Sequence, residues 1–142
     1  MIDTKSLELE EARKVAEAAL EAVFKAKGRP ISVAVVDPSG DLIYFARMDG
    51  ASRNSIHVAQ NKAYTAARWG RDTRDVEAGL EKWDFDIAYF GDPRYAPISG
   101  GVLIKSSDGS IAGAVGISGR LKEETPEDEA LAQLGASAVN IV

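Results

Sequence analysis

Cysteine is absent from this chain of 142 residues, and histidine occurs once. The first absence removes disulfides, thiolate metal centres and a cysteine nucleophile. The second leaves His57 as the only side chain that ordinarily titrates near neutrality. No stretch approaches the run of about 20 apolar residues that spans a bilayer, and Met1 to Ser6 hold no basic segment leading into an apolar one. A basic stripe is lacking too, and the net charge of −5 argues against nucleic acid or an anionic membrane as a partner. These absences lead us to expect a soluble, cytoplasmic protein. With 45% hydrophobic residues, the chain is expected to form a single globular domain over residues 1–142, with a core of its own.

The densest signal is the stretch from Ser99 to Gly119. Val102–Lys105 and Ser110–Ser118 are two β-like runs joined by Ser106-Ser107-Asp108-Gly109, which reads as a hairpin. Gly113, Gly116 and Gly119 recur every three residues, whereas a strand repeats every two, so they cannot share one face. They mark close approach to the backbone, by a packed helix or by a ligand.

The remaining elements follow from local periodicity. Leu9, Ala12, Ala16, Ala19, Leu20 and Val23 make the apolar face of a helix ending near Lys27, where Gly28 and Pro30 stop it. Ile31–Asp37 and Asp41–Met48 form a second hairpin around Pro38-Ser39-Gly40. Ser52, Asn54 and Ser55 are candidate caps for a helix through Ile56, Ala59, Ala63 and Ala66 that Gly70 ends. Asp72-Thr73 opens a short helix carrying Val76, Leu80 and Trp83, and the aromatic-rich segment from Asp84 to Ile98 reads as a long loop. Thr125-Pro126-Glu127-Asp128 then reads as a cap, a first-position proline and a first acidic turn of a terminal helix. This order predicts an α+β fold with helices against an antiparallel sheet.

AVVDPSGDLIYFARMDGA, SIHVAQNKAYTAA, ISGGVLI and GSIAGAVGISG, in that order, resemble the GlcG/HbpS-like family of haem-binding-like proteins, also seen fused to corrinoid adenosyltransferases. The similarity runs over nearly the whole chain. It implies a profilin-like fold, a five-stranded antiparallel sheet flanked by helices with a short extra strand near Ala96–Ile98, and a homo-oligomer. Members are described as binding haem or corrinoid, as degrading haem, or as sensor accessories, so haem is the cofactor it brings into question. Haem iron takes an axial His, Met, Cys or Tyr. Here that leaves His57, Met48, Tyr44, Tyr64, Tyr89 and Tyr95.

His57 sits one residue past Ile56, about 100° around the helix from the apolar stripe, and reads either as a solvated or interface histidine or as a ligand or acid/base. Lys62 lies in the pattern Ala59-Gln60-Asn61-Lys62-Ala63, which the resemblance carries; it is either a snorkelling surface residue or, if buried, one that needs a carboxylate or a ligand anion. Arg47 is read as pairing with Asp49 or Asp128, or as a carboxylate clamp. The helix start around Ser55, the backbones of Gly100, Gly101 and Gly119, and Arg120 converge on an anion site, with Tyr89 and Phe90 offering an apolar wall. The scattered acids Asp37, Asp49, Asp84, Asp86 and Asp92 form no metal set.

Two functions fit these residues. One is a non-catalytic binding protein for a haem-like tetrapyrrole or another carboxylate-bearing planar molecule. The other is a small lyase or hydrolase acting on an aromatic or hydroxy acid, with His57 or Tyr89 as acid/base and Arg47, Lys62 or Arg120 holding the carboxylate.

Overall fold

The computed structural model describes residues 1–142. In chain order the elements are α1 (Leu9–Ala26), β1 (Ser32–Val36), β2 (Leu42–Arg47), α2 (Arg53–Trp69), α3 (Thr73–Trp83), a 3-10 turn (Ile87–Phe90), β3 (Gly101–Lys105), β4 (Ile111–Ser118) and α4 (Asp128–Ala136). The four strands form one antiparallel sheet in the order β2-β1-β4-β3.

Helices cover both faces. Val33, Val35, Val115 and Ile117 pack with Val15, Ala16 and Ala19 of α1 and with Leu131 and Ala132 of α4. Ala34, Val36, Leu103 and Ala114 pack with Ala59, Ala63 and Ala66 of α2 on the other side. A strand buried on both faces has no reason to alternate apolar with polar residues, which is why β1 and β4 read as continuous apolar runs. The edge strand β2 is only half-buried.

The strand glycines serve helix and strand packing. Gly116 pairs with Gly101 across β4 and β3. A Cβ at Gly116 would stand 2.0 Å from the Ala59 carbonyl oxygen and 2.6 Å from the Ala63 nitrogen, and one at Gly101 would stand 2.4 Å from the Lys62 carbonyl oxygen. The backbone of α2 therefore rests directly on this glycine pair. On the other face of β4, a Cβ at Gly113 would meet the Val36 carbonyl and Leu7, and Gly119, at φ +138°, lies against Pro30. A ligand is not needed to explain any of the three.

Four strands form where the resemblance implies five. The outer edge of β3 is already occupied: the Gly101 N–H donates to Thr73 Oγ1 at 2.9 Å and the Leu103 N–H to Asp72 Oδ1 at 2.9 Å. Ala96–Ile98 instead turns around Pro97, with the Ala96 N–H on Thr65 Oγ1 and the Ile98 N–H on the Ala96 carbonyl. The terminal helix also starts later than its residues suggest. Glu127, not Thr125, caps α4, its carboxylate accepting from the Glu129 and Ala130 N–H groups.

Because the neighbours of Gly116 are backbone atoms that cannot swing away, Gly116→Ala should overpack this contact and destabilise the protein by about 1–3 kcal/mol or more, and Gly116→Val by more still. Urea unfolding measures it. An unchanged midpoint would mean that α2 does not sit where Ala59 and Ala63 place it.

Candidate functional site

Lys62 is placed by the helix period. Residues 59, 62, 63 and 66 share one stripe of α2, so Lys62 faces the sheet together with Ala59, Ala63 and Ala66. It is 3% exposed. Its side chain runs over Gly100, where a Cβ would come within 2.7 Å of Nζ and 3.0 Å of Cδ. Gly100 and Gly101 thus make room for the lysine. The Gly101 N–H is spent on Thr73, so it is not a free donor for an anion.

At the end of this path Nζ donates to the Ile117 carbonyl at 2.8 Å and to Asp128 Oδ2 at 3.2 Å. Asp128 is the first residue of α4, and its second oxygen accepts the Arg120 N–H at 2.9 Å. Burial pushes the Lys62 ammonium down and the Asp128 carboxyl up from their ordinary values, and each group opposes the shift of the other. The pair is held by mutual compensation in a poorly solvated place.

Arg120 is anchored in the same region. Its Nε donates to the Pro126 carbonyl, and Nη1 donates to the carbonyls of Lys27 and Arg29 and lies 3.2 Å from Glu124 Oε2. These bonds tie the end of α1 to the loop before α4. Glu124 adds to the knot by accepting the Arg29 and Leu121 N–H groups, which hold its carboxyl below the usual range.

Above the pair lies a cavity of ≈ 240 Å³ whose walls include Lys62, Asp128, Arg120, Ser99, Ile98 and Lys122, with Glu77 and Glu127 beside them. Most of its charges are already engaged. Lys62 faces Asp128, Arg120 faces Glu124, and Glu127 is a helix cap. Lys122 and Glu77 are both exposed and neither makes an ion pair, so the rim of the cavity carries one ammonium and one carboxylate without partners.

The structure thus brings together Lys62, Gly100, Gly101 and Arg120, with Gly119 adjoining. The other candidates lie elsewhere. Arg47 is exposed at the end of β2 and makes no ion pair with Asp49 or Asp128; Asp128 sits with Lys62 beside Ile117 of β4, and β1 stands between that strand and β2. Ser55 is buried against Ser32 Oγ at 2.8 Å and the Ser52 carbonyl at 2.6 Å. His57 is exposed on α2, Tyr89 is 73% exposed on the 3-10 turn, and neither lines this cavity. Phe90 packs edge-on against Trp69 at 4.7 Å. Asp128, Ser99 and Lys122 were not singled out as site residues from the sequence. Asp128 stands out in the sequence only as a partner for Arg47, and the need of a buried Lys62 for a carboxylate or a ligand anion names no residue.

Removing one member of this pair leaves the other buried and unpaired, so Lys62→Met should destabilise by about 3 kcal/mol near neutral pH. In that variant Asp128 loses its cation and its folded-state pKa climbs further above the unfolded value. A raised acid contributes stability below its unfolded pKa and loses it as pH rises through the folded pKa. The penalty relative to the parent protein should therefore shrink as pH falls toward about 4, and Lys62→Met/Asp128→Asn should recover most of the loss. Chemical unfolding across pH reads both outcomes.

Protein GlcG of Escherichia coli K12 is 36% identical over 88 residues, which is 62% of this chain and 63% of GlcG, so the match leaves part of that protein uncovered. A 15.0 kDa protein of the dhaT-dhaS intergenic region of Citrobacter freundii is 31% identical over 123 residues, 84% of each chain. HbpS of Streptomyces reticuli, in a double-mutant crystal structure, superposes with a TM-score of 0.84 at 31% identity, covering 99% of this chain and 91% of that one. The PduOC:heme complex shares the fold with a TM-score of 0.83 at 24% identity, covering 96% of this chain and 97% of that one. A family model described as haem degrading protein HbpS-like matches residues 7–137. With nearly the whole domain matched in sequence and in fold, the chain belongs to the HbpS-like family.

Proposed function

We propose that the protein is a small-molecule-binding member of this family that holds a carboxylate-bearing planar ligand by its acid group at the cavity above Lys62. The observation that carries this reading is the cavity's donor set. A buried ammonium at its floor and an unpaired Lys122 at its mouth flank a polar wall with Ser99, while Asp128 is taken up by Lys62 and Glu127 by the start of α4, which leaves Glu77 as the one unengaged acid of the lining. Such a site selects an anion, and Ile98 offers the one apolar surface beside it.

The family's name and the haem complex among its structural relatives support a haem-like tetrapyrrole as one such ligand. Iron ligation does not fit this cavity, since none of its lining residues is His, Met, Cys or Tyr. At ≈ 240 Å³ it also falls below the range of about 300–1,000 Å³ that encloses a whole drug-sized molecule. It suits a small acid, or the acid arm of a larger ring lying outside. The four-stranded layered domain beneath it we read as profilin-like. We also propose self-association, supported by the exposed apolar Leu9, Phe24 and Leu134 on α1 and α4. Light scattering that shows a monomer at micromolar concentration removes that part.

A thermal-shift screen of small carboxylic acids beside a haemin titration followed by absorption tests the binding reading. Lys122→Ala should weaken the responding ligand about tenfold or more with an unchanged melting temperature, because one charge-assisted contact is lost from an exposed side chain. His57→Ala should bind as the parent does. If His57→Ala alone abolishes binding while Lys122→Ala binds normally, the acid-group reading fails and a histidine-dependent mode replaces it.

A further inference from the structure

A second concavity lies on the opposite side of α3. The stripe Val76, Leu80 and Trp83 forms one wall, Trp69 at the end of α2 forms another, and Phe85 and Phe90 close it, enclosing ≈ 170 Å³. Trp69 and Phe90 meet edge to face, which fixes two of the rings. Trp83 and Phe85 are 64% and 52% exposed, so large apolar surface stands open to water at the rim.

Two features give this pocket a chemical preference. Arg71 lines it, is exposed, and makes neither an ion pair nor a side-chain hydrogen bond. Gly79 lines it as well, in the interior of α3 and with no positive φ to require glycine. Glycine is the poorest helix former after proline. The nearest atom to a Cβ built there is Arg71 Nη1 at 4.0 Å, so no packing demands the missing side chain. Its absence keeps the wall open and lets the guanidinium rest on the helix surface beside the rings. The lining holds a cation and aromatic faces and no acidic side chain.

We infer that this pocket is a second binding site, for a small aromatic monocarboxylate whose ring enters between Trp69, Trp83 and Phe90 and whose acid group meets Arg71. The volume accommodates a single ring with a short acid arm. The site is separate from the Lys62 cavity: the two share no lining residue, and α3 turns Glu77 to one and Val76, Gly79 and Leu80 to the other.

Both of the chain's two tryptophans line this pocket and neither lines the other, so intrinsic fluorescence reports its occupancy. Phenylacetate is the probe, and phenylacetamide its neutral counterpart. Phenylacetate should give a saturable change at millimolar concentration or below. Arg71→Ala, at an exposed position, should weaken it about tenfold or more, and phenylacetamide should bind correspondingly less well to the parent. Gly79→Leu should abolish the response while circular dichroism shows α3 intact or more helical. The inference is overturned by a parent protein that shows no saturable response, by Arg71→Ala or phenylacetamide matching parent and phenylacetate, or by fluorescence that follows protein dilution alone. The last result would assign the pocket to a second copy of the chain.

Discussion

The seat of α2 on the Gly101–Gly116 pair sets what lies downstream of it. With side chains at those positions the helix would stand farther from the sheet, and the stripe of Ala59, Lys62, Ala63 and Ala66 would have a layer of side chains beneath it. Because the helix rests backbone on backbone, its one long residue on that stripe cannot pack beneath it and must run along the groove over Gly100. The ammonium then emerges at the end of β4, and a buried ammonium without a partner would cost several kcal/mol. Asp128 meets that demand from the first turn of α4, and its other oxygen holds the Arg120 N–H. Arg120 in turn binds the end of α1. One steric constraint in the sheet is thus coupled to the placement of two helices and the loop between β4 and α4.

A buried ion pair is weak evidence for stability, since desolvation of both charges offsets much of their attraction. What Lys62 and Asp128 supply is position. Each has two bonded neighbours from different elements, so α2, β4 and α4 meet in one register, and the cavity above them inherits a rigid floor. Rigidity under a polar site reduces the ordering that a ligand would otherwise impose on binding.

Helices and hairpins were legible in the residues because their signals are local. The period of α1, the Pro-Ser-Gly turn and the small face of α2 each act within about ten residues. The glycine repeat in β4 was readable as close approach, and the partner, the α2 backbone or a neighbouring strand, required the structure. The misplacements share a cause. Arg47 reads as a partner of Asp49 or Asp128, and the second is out of reach because strand order is not written in the sequence and β1 intervenes. The fifth strand is implied by the family resemblance alone, and nothing local signals that the edge of β3 is taken by Asp72 and Thr73, which lie some thirty positions away and read as a helix start. Gly100 and Gly101 read as anion donors, since a glycine that clears a path for a lysine looks the same in sequence as one that admits a ligand. Ser99 and Lys122 carry no pattern at all; they become site residues only when the loops before β3 and after β4 meet.

α3 separates two concavities of different character, one polar around Lys62 and one aromatic around Trp69, and each has an unpaired cation at its edge, Lys122 and Arg71. On a chain of net charge −5 this placement matters more than the total. At physiological ionic strength the Debye length is about 8 Å, so the acidic surface is screened from an approaching anion until it is nearly in contact. Within that distance the local sign decides. At the polar cavity Glu77 and Glu127 stand close enough to oppose an anion, whereas the aromatic pocket has no acid in its lining. On the two proposals, a ligand at the first cavity would present its acid group and leave its body outside, whereas an aromatic acid at the second would bury its ring beside Arg71. The two sites would then discriminate by the body attached to the acid group, since the acid group alone would not choose between them.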